Sequence, residues 1–313
     1  MNHQRPTSQS PTAKKAWSDI PRPNPSLFNF DLFPALLDFV HQNSATSSVV
    51  LVVGGGRGEL ARRMVAAGKL AFNFDVDTTL RDPLTPTIWC DMEVGIPYER
   101  KDGGPHAVLT PFSLEYTNAR ISTGKIADVL LPGEHFVWVC HHSDSFIIND
   151  FRKARRFAPI ASSVFAHAVS TGTDSWLVIA KKSEPSIREI FEFDKFNIPS
   201  PLDCPLDSLL SRLPTLLKWA NTGMRQANAM LLLATLRLGY ERVSGLHQCL
   251  FTLSKIAGNF NIDLEISSFL LTQNLRCPAD MVDVVDPRLR LQSHLDVRDA
   301  VMPLALLASF ERV

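Results

Sequence analysis

The sequence contains few cysteines, no long apolar run and no excess of either charge. Its five cysteines are scattered without Cys-x-x-Cys spacing, which argues against a disulfide framework and against a structural zinc site. No run of about 18 apolar residues occurs, so the sequence predicts no membrane span. The first residues lack the apolar segment of a secretory signal, and we therefore expect a cytoplasmic protein.

The charge balance bears on the kind of partner. The 32 basic residues equal the 32 acidic residues in number. Proteins that bind nucleic acids usually carry a basic excess or a basic stripe. The short basic cluster here is typical of a solvated helix face, and it consists of Arg152, Lys153, Arg155 and Arg156. The composition therefore favours a small-molecule partner over nucleic acid.

The first half of the chain predicts a tail, a helix and an α/β domain that ends near residue 183. Residues 1–26 are rich in Pro, Ser, Thr and Lys, a composition typical of a flexible segment. Apolar residues in Leu27–Val40 recur at spacings of three and four, which predicts a helix packed on the next domain. Then β-branched runs alternate with helical stretches, which predicts a doubly wound, mostly parallel sheet. The predicted elements are strands at Val49–Val53, Leu70–Phe74, Ala107–Thr110 and Phe136–Cys140 and a helix at Leu60–Ala67.

The second half predicts the closing edge of the sheet and a mainly helical subdomain over residues 184–313. Val164–Ala168 and Trp176–Ala180 predict an antiparallel hairpin that closes the sheet. Val297–Val313 favours instead a last helix that runs towards another strand, so the place of the closing hairpin stays open. The clearest helical patterns of the subdomain are Leu209–Leu217 and Met224–Leu238.

A glycine-rich turn follows the first predicted strand, with glycine at positions 54, 55, 56 and 58. Glycines are needed where a strand turns sharply into a helix and the backbone approaches a ligand closely. The N-terminus of that helix offers free N–H groups to an anionic or polar ligand. A plain tight turn uses the same residues, so the turn alone does not establish a binding site.

An acidic residue strengthens the prediction of a nucleotide site. Asp75 ends the second predicted strand, about twenty residues after the glycines, where a carboxylate accepts hydrogen bonds from ribose hydroxyls. Asp77, two residues on, is the competing candidate. This spacing occurs in dinucleotide-binding dehydrogenases as well as in other nucleotide-binding folds, so it does not identify the ligand.

Four segments, in this order, resemble the motifs of the class I S-adenosylmethionine-dependent methyltransferases, type 11-like. They are VLVVGGGRGELARR (Val50–Arg63), WCDMEVGIPY (Trp89–Tyr98), AVLTPFSLEY (Ala107–Tyr116) and VLLPGEHFVWV (Val129–Val139). The resemblance covers roughly residues 47–145. It implies a Rossmann-like sheet of the seven-stranded type, S-adenosyl-L-methionine as cofactor and methyl transfer to an acceptor.

The resemblance also implies where each part of the cofactor binds. The glycine turn meets the methionine part, Asp75 the ribose, Asp91 with Met92 the adenine, and Phe112 with Leu114 the sulfonium end. The full set expected at the cofactor is Gly54, Gly55, Gly56, Gly58, Asp75, Val76, Asp91, Met92, Thr110, Phe112 and Leu114. The family usually has acidic residues where this chain has Val52 and His106, which predicts weakened binding or altered chemistry.

Candidate acid–base residues follow the predicted strand at Phe136–Cys140. His141 and His142 stand where open α/β sheets place their ligands, and a histidine there can deprotonate an acceptor. Tyr116 is a further catalytic candidate, with Glu115 beside it as functional or structural. Adjacent residues at a strand end face opposite ways, so at most one histidine is expected to face the cleft. The alternative is that both are hydrogen-bonding residues at a helix start, with Ser143 or Asp144 as the cap.

These residues leave three functional classes open. The first is a methyltransferase acting on a small molecule in specialised metabolism, with the helical subdomain as acceptor pocket, lid or homodimer contact. The second uses the same cofactor for cyclisation or aminocarboxypropyl transfer, and the third is a non-catalytic partner subunit. No metal is expected, because His106, His141, His142 and Asp144 lack a recognised ligand spacing.

Overall fold

The computed structural model describes residues 32–43, 47–78, 85–100, 106–221, 224–273, 275–298 and 303–313. The predicted tail and the start of the predicted helix at Leu27–Val40 lie outside these ranges. The described residues form two compact units. The first contains those up to Asn149 and those from Phe269 onward, and the second contains Asp150–Ser268.

One mixed sheet organises the first unit. Its described strands are β1 (Val49–Val53), β2 (Leu70–Asp75), β3 (Thr87–Trp89), β4 (His106–Pro111), β5 (His135–His141), β6 (Leu289–Arg298) and β7 (Pro303–Arg312). They lie in the order β3-β2-β1-β4-β5-β7-β6. The first five strands are parallel, whereas β7 runs antiparallel to both β5 and β6. The predicted α/β class with a mostly parallel seven-stranded sheet is confirmed.

Helices cover both faces of this sheet. The helices of both units, in the order of the described chain, are α1 (Leu32–Asn43), α2 (Glu59–Ala66), α3 (Ala119–Val129), α4 (Phe146–Ser170), α5 (Trp176–Phe191), α6 (Leu206–Asn221), α7 (Arg225–Tyr240), α8 (Leu246–Gln273) and α9 (Pro278–Val284). Val50 of β1 lies in one core with Met64 of α2, while Leu51 lies in another with Ile126 of α3. Successive strand residues point to opposite faces, so β1 needs apolar residues throughout.

The second unit consists of helices around a buried α7. Leu232, Leu233 and Leu236 of α7 are fully buried, and α5 and α6 both pack against this helix. The apolar residues of α4 recur at spacings of four and three and face the same core, namely Phe157, Ala161, Val164 and Ala168. The helices predicted at Leu209–Leu217 and Met224–Leu238 are confirmed within α6 and α7.

The hairpin predicted at Val164–Ala168 and Trp176–Ala180 is wrong. Both segments are helical, the first in α4 and the second in α5. The hairpin that closes the sheet is the antiparallel pair β6 and β7, so the helix predicted within Val297–Val313 is wrong and the strand is right. The two units also divide at 149/150 and 268/269, whereas the sequence predicts one boundary at residues 183/184.

Within the ranges described, no helix combines the length and the apolar character needed to cross a bilayer.

Candidate functional site

The carboxyl ends of the parallel strands bring together most of the residues singled out in the sequence. Gly54 follows β1, Asp75 ends β2, Phe112 follows β4 and His141 ends β5. In parallel pairing these ends meet along one edge of the sheet, where open α/β sheets bind their ligands. The candidate site therefore lies entirely in the first unit.

The glycine turn is held by close backbone packing. The N–H of Gly54 donates to the carbonyl oxygen of Phe74 at 2.7 Å, and Gly54 has a φ of 72°. A Cβ on Gly54 would lie 2.2 Å from the Cβ of Ser113, and one on Gly55 would lie 2.1 Å from Oδ1 of Asn73. Neighbouring side chains thus explain the glycines at these two positions. Gly56 and Gly58, with φ of 55° and 80°, also need the left-handed conformation.

Asp75 links the second strand to the glycine turn. Its Oδ2 accepts a hydrogen bond from the N–H of Gly56 at 2.8 Å, and its Oδ1 accepts one from the N–H of Asp77 at 2.9 Å. The competing candidate Asp77 therefore helps to orient Asp75 through its backbone. Val76, between them, lies half-buried in the bend that follows β2.

The segment after β3 packs beside this carboxylate. The N–H of Cys90 donates to the carbonyl oxygen of Asp75 at 3.0 Å, and Oδ1 of Asp91 accepts from the N–H of Glu93 at 3.1 Å. Cε of Met92 lies 3.7 Å from the position that a Cβ on Gly54 would take. The predicted adenine and methionine positions are thus neighbours. Burial, and next the carboxylates of Asp91 and Asp75, raise the pKa of the Cys90 thiol to about 12.

The end of β4 supplies three residues of different character. Thr110 is fully buried, and its Oγ1 has no hydrogen-bond partner among the residues described. Phe112 has a φ of 50°, which is uncommon for a residue with a side chain. Leu114 is fully buried in the core that contains α3. Of the two residues expected at the sulfonium end, Leu114 lies in this core and Phe112 is only half-buried.

The buried Glu115 and the half-buried His141 form a pair that the sequence does not predict. Oε1 of Glu115 accepts a hydrogen bond from the backbone N–H of His141 at 3.2 Å and also contacts Nδ1 of the same residue. Oε2 of Glu115 is buried without a partner among the described residues. The ring of Phe112 packs on that of His141 with centroids 4.5 Å apart. The separation of 26 residues between the partners leaves no signal in the sequence.

The other two catalytic candidates have mainly structural surroundings. His142 is buried, and its Nδ1 accepts a hydrogen bond from the N–H of Asp144 at 3.0 Å. The cap of α4 is Ser145, whose Oγ accepts from the N–H of Ile148 at 3.3 Å, so the predicted caps Ser143 and Asp144 are wrong. Tyr116 ends a short 3-10 turn and is half-buried. Their catalytic roles stay predictions.

The two departures from the family pattern differ in their location. Val52 is fully buried in the core beneath α1 and α2. His106 begins β4 at the opposite edge of the sheet from Asp75 and His141. Its Nε2 lies 2.9 Å from the hydroxyl of Tyr98, and its backbone N–H donates to Glu134 at 2.8 Å. His106 is therefore a buried structural residue, and its substitution for an acid does not alter the candidate site.

A search for metal ligands adds no further site. Among the side chains described, no group of three or more His, Cys, Asp or Glu residues is arranged to hold a metal ion.

Comparisons with known proteins find similar folds and no matching family. No protein-family model and no curated protein matches the chain. The structure is similar to a glycopeptide N-methyltransferase, MtfA, with 16% identity and a TM-score of 0.31 over 44% of this chain and 63% of that one. It is similar to geranyl diphosphate methyltransferase in complex with S-adenosylmethionine, with 14% identity and a TM-score of 0.32 over 89% and 85% of the chains.

A third similarity is to a protein of another class. It is a Zn-dependent alcohol dehydrogenase from Rhodobacter sphaeroides, with 13% identity and a TM-score of 0.42 over 98% and 100% of the chains. This chain spans less than two thirds of the length of the glycopeptide methyltransferase, at 63%. These similarities carry no argument about activity, because one fold supports many functions.

Proposed function

We propose that the protein binds S-adenosylmethionine at the carboxyl edge of its parallel strands and transfers the methyl group to a small molecule. The observation that carries the proposal is the fixed carboxylate of Asp75, held by the N–H groups of Gly56 and Asp77. A carboxylate at this position accepts hydrogen bonds from ribose hydroxyls in nucleotide-binding α/β folds. The carboxylate lies at the end of β2 beside the glycine turn, as an adenosine site requires.

The residues around Asp75 fit the adenosine part of this cofactor. Met92 lies beside the glycine turn with its apolar side chain, and Asp91 and Val76 are half-buried. We assign the adenine to Asp91 and Met92, the ribose to Asp75, and the methionine part to the turn that contains Gly56 and Gly58. Val52 is apolar, so the amino group of the cofactor must be held by another group. Thr110, Phe112 and Leu114 are assigned to the methyl-transfer end.

Methyl transfer by direct displacement needs alignment of donor and acceptor more than covalent chemistry by the protein. When bound, S-adenosylmethionine supplies the methyl group on a sulfonium centre. His141, His142 and Tyr116 are the protein groups assigned to the acceptor side. The equal numbers of basic and acidic residues, 32 of each, support a small molecule rather than nucleic acid as the acceptor. The type 11-like subtype, a role in specialised metabolism, a homodimer and a cytoplasmic location belong to the same proposal.

Val52 favours a second candidate, in which the chain uses S-adenosylmethionine for cyclisation or aminocarboxypropyl transfer instead of methyl transfer. A fully buried valine replaces a carboxylate that the resemblance places near the amino group of the cofactor. Product analysis separates the candidates. Methyl transfer releases S-adenosylhomocysteine, cyclisation or aminocarboxypropyl transfer releases methylthioadenosine, and a non-catalytic subunit releases neither.

The test is calorimetric titration of the full chain with S-adenosylmethionine and with S-adenosylhomocysteine. Asp75→Asn removes the negative charge and places an amide N–H group opposite a backbone or ribose donor. Binding should therefore weaken about tenfold to a hundredfold. Asp283→Asn is the matched control, because Asp283 is an exposed aspartate of the same unit, and its affinity should equal that of the wild type. If the wild type binds neither compound, the proposal is refuted.

A further inference from the structure

We infer that Glu115 and His141 form an oriented acid–base pair, in which Nε2 of His141 accepts a proton from the hydroxyl or amine that is methylated. The inference rests on the proposed function for the methyl donor only. Glu115 lies in the 3-10 turn Leu114–Tyr116 that follows β4, and His141 ends the neighbouring strand β5. Both lie at the edge of the sheet where Asp75 and the glycine turn also lie.

The hydrogen bonds of this pair set the orientation of the imidazole ring. Oε1 of Glu115 contacts Nδ1 of His141 and accepts from the backbone N–H of the same residue at 3.2 Å, so one carboxylate oxygen holds both groups. A carboxylate acceptor requires a proton on Nδ1, which leaves the lone pair of the neutral ring on Nε2. Nε2 forms no hydrogen bond within the ranges described, and 10% of the His141 side chain remains exposed.

The position of Phe112 fixes the ring from its face. The Phe112 ring packs on the imidazole with centroids 4.5 Å apart, and its backbone adopts a φ of 50°. A left-handed conformation at a non-glycine residue is unfavourable by about 1–3 kcal/mol, and such residues cluster at functional sites. Together, the carboxylate and the phenyl ring restrict the imidazole to one orientation.

The second oxygen of Glu115 distinguishes this pair from a structural ion pair. Glu115 is buried, and its Oε2 has no hydrogen-bond partner among the described residues. Buried carboxylate oxygens are nearly always hydrogen-bonded, because desolvation without a partner is unfavourable. The unpartnered Oε2 therefore sets Glu115 apart from a carboxylate whose two oxygens are both held by protein donors.

The chemical step needs no group beyond those proposed. The O–H or N–H bond of the acceptor breaks, and its proton moves to Nε2 of His141. The freed electron pair forms the bond to the methyl group, while the pair of the breaking carbon–sulfur bond stays on sulfur. The carboxylate of Glu115 stabilises the imidazolium that results. Glu115 is a positioning residue, and His141 is the base.

The pair can be tested without an acceptor, by its reaction with diethyl pyrocarbonate and by ¹⁵N NMR of histidine-labelled full chain. At about pH 8, we expect the ring proton of neutral His141 on Nδ1, the nitrogen that contacts Glu115. Glu115→Met removes the acceptor and should abolish this tautomer preference. Glu115→Gln keeps an acceptor but removes the charge, and it should slow the carbethoxylation of His141 about tenfold.

An internal standard keeps the result interpretable. His294 is an exposed histidine of the same unit, and its carbethoxylation rate should be equal in all variants. A wild-type tautomer and rate at His141 in both Glu115 variants would overturn the inference, as would an unreactive His141 in the wild type. S-Adenosylhomocysteine should slow the reaction at His141. If it does not bind, the proposed function fails, while the comparison between Glu115 variants still decides whether the pair exists.

Discussion

Gly54 and Ser113 lie so close together that a single methyl group on Gly54 would overlap the side chain opposite. The distance from a Cβ on Gly54 to Cβ of Ser113 would be 2.2 Å. Ser113 is fixed there, because its Oγ donates to the carbonyl oxygen of Val53 at 3.0 Å. The contact fastens the segment after β4 to the glycine turn, so two sides of the candidate site move together.

Gly54→Ala should therefore destabilise the protein more than an alanine at a free left-handed glycine. Gly68 has a φ of 81° with no atom near its Cβ position, and Gly68→Ala should lower the free energy of unfolding by roughly 1–2 kcal/mol. Gly54→Ala should add about 1–3 kcal/mol of overpacking. Denaturant unfolding measures both, and Ser113→Gly in the Gly54→Ala background should recover the difference. Equal losses at the two glycines would contradict the contact.

The carboxylate of Glu134 should make the folding stability of the protein sensitive to acid. Burial raises its pKa, but the hydrogen bonds from Arg100, Leu131 and His106 outweigh burial and lower it below the ordinary value of 4.5. Its folded-state pKa is thus below the unfolded one. The stability that Glu134 contributes is complete above about pH 4.5 and disappears as the pH falls through the folded-state pKa.

Replacement of Glu134 should remove that contribution. Glu134→Gln removes the negative charge that pairs with Arg100 and should lower the free energy of unfolding at pH 7 by roughly 3 kcal/mol. The loss relative to the wild type should shrink as the pH falls below 4.5, and thermal unfolding at a series of pH values measures it. A pH-independent loss would show that the carboxylate charge is not the stabilising feature.

Cys90 and Cys277 should differ strongly in their reaction with iodoacetamide. The pKa of Cys90 is about 12 and its side chain is buried, whereas Cys277 is exposed. The thiolate is the reactive form, so at about pH 8 only roughly one Cys90 in ten thousand is reactive. Peptide mapping by mass spectrometry should find rapid labelling of Cys277 and not of Cys90, and similar labelling of both after denaturation. Rapid labelling of native Cys90 would mean that the segment beside Asp75 is open.

Arg225 should be essential to the stability of the helical unit. Its guanidinium donates to both oxygens of Asp263 at 2.8 Å, contacts Asp150, and lies 4.1 Å from the ring centroid of Phe151. Arg225→Met leaves two carboxylates without a partner and should destabilise this unit by roughly 3–5 kcal/mol.

Circular dichroism during denaturation measures the loss. Arg212→Met, at an exposed position of α6, is the matched control and should change stability by about 0.5 kcal/mol or less. A loss no larger than that of the control would contradict the role of these half-buried ion pairs.

The sequence predicts this fold best where local pattern and packing demand agree. The apolar run of β1, the glycine turn and Asp75 at the end of β2 are all predicted and all found. The strand predicted at Val164–Ala168 is wrong because the β-branched and aromatic residues of this segment favour a strand only locally. The spacing of the apolar residues over the longer stretch from Phe157 to Ala168 favours a helix, because it places them on one face that packs against the core.

Long-range relationships leave weaker traces in the sequence. Leu289–Arg298 alternates poorly and is an edge strand, with most of its side chains at least partly exposed, so β6 escapes prediction. The pairing of Glu115 with His141 depends on the alignment of β4 with β5, which no local pattern encodes. The structural role of His106 likewise depends on Glu134, 28 residues away.

The pairing of β5 with β7 has a consequence for how the chain folds. Cys140 and Leu306 are opposite each other in the sheet, although 166 residues separate them. Closing so long a loop is entropically unfavourable, and such non-local contacts form slowly. During synthesis, the apolar edge of β5 that pairs with β7 therefore stays unpaired while more than half of the chain is made. During that interval the nascent protein is most exposed to aggregation. Folding of the intervening helices shortens the interval, because it brings β7 within reach of β5 sooner.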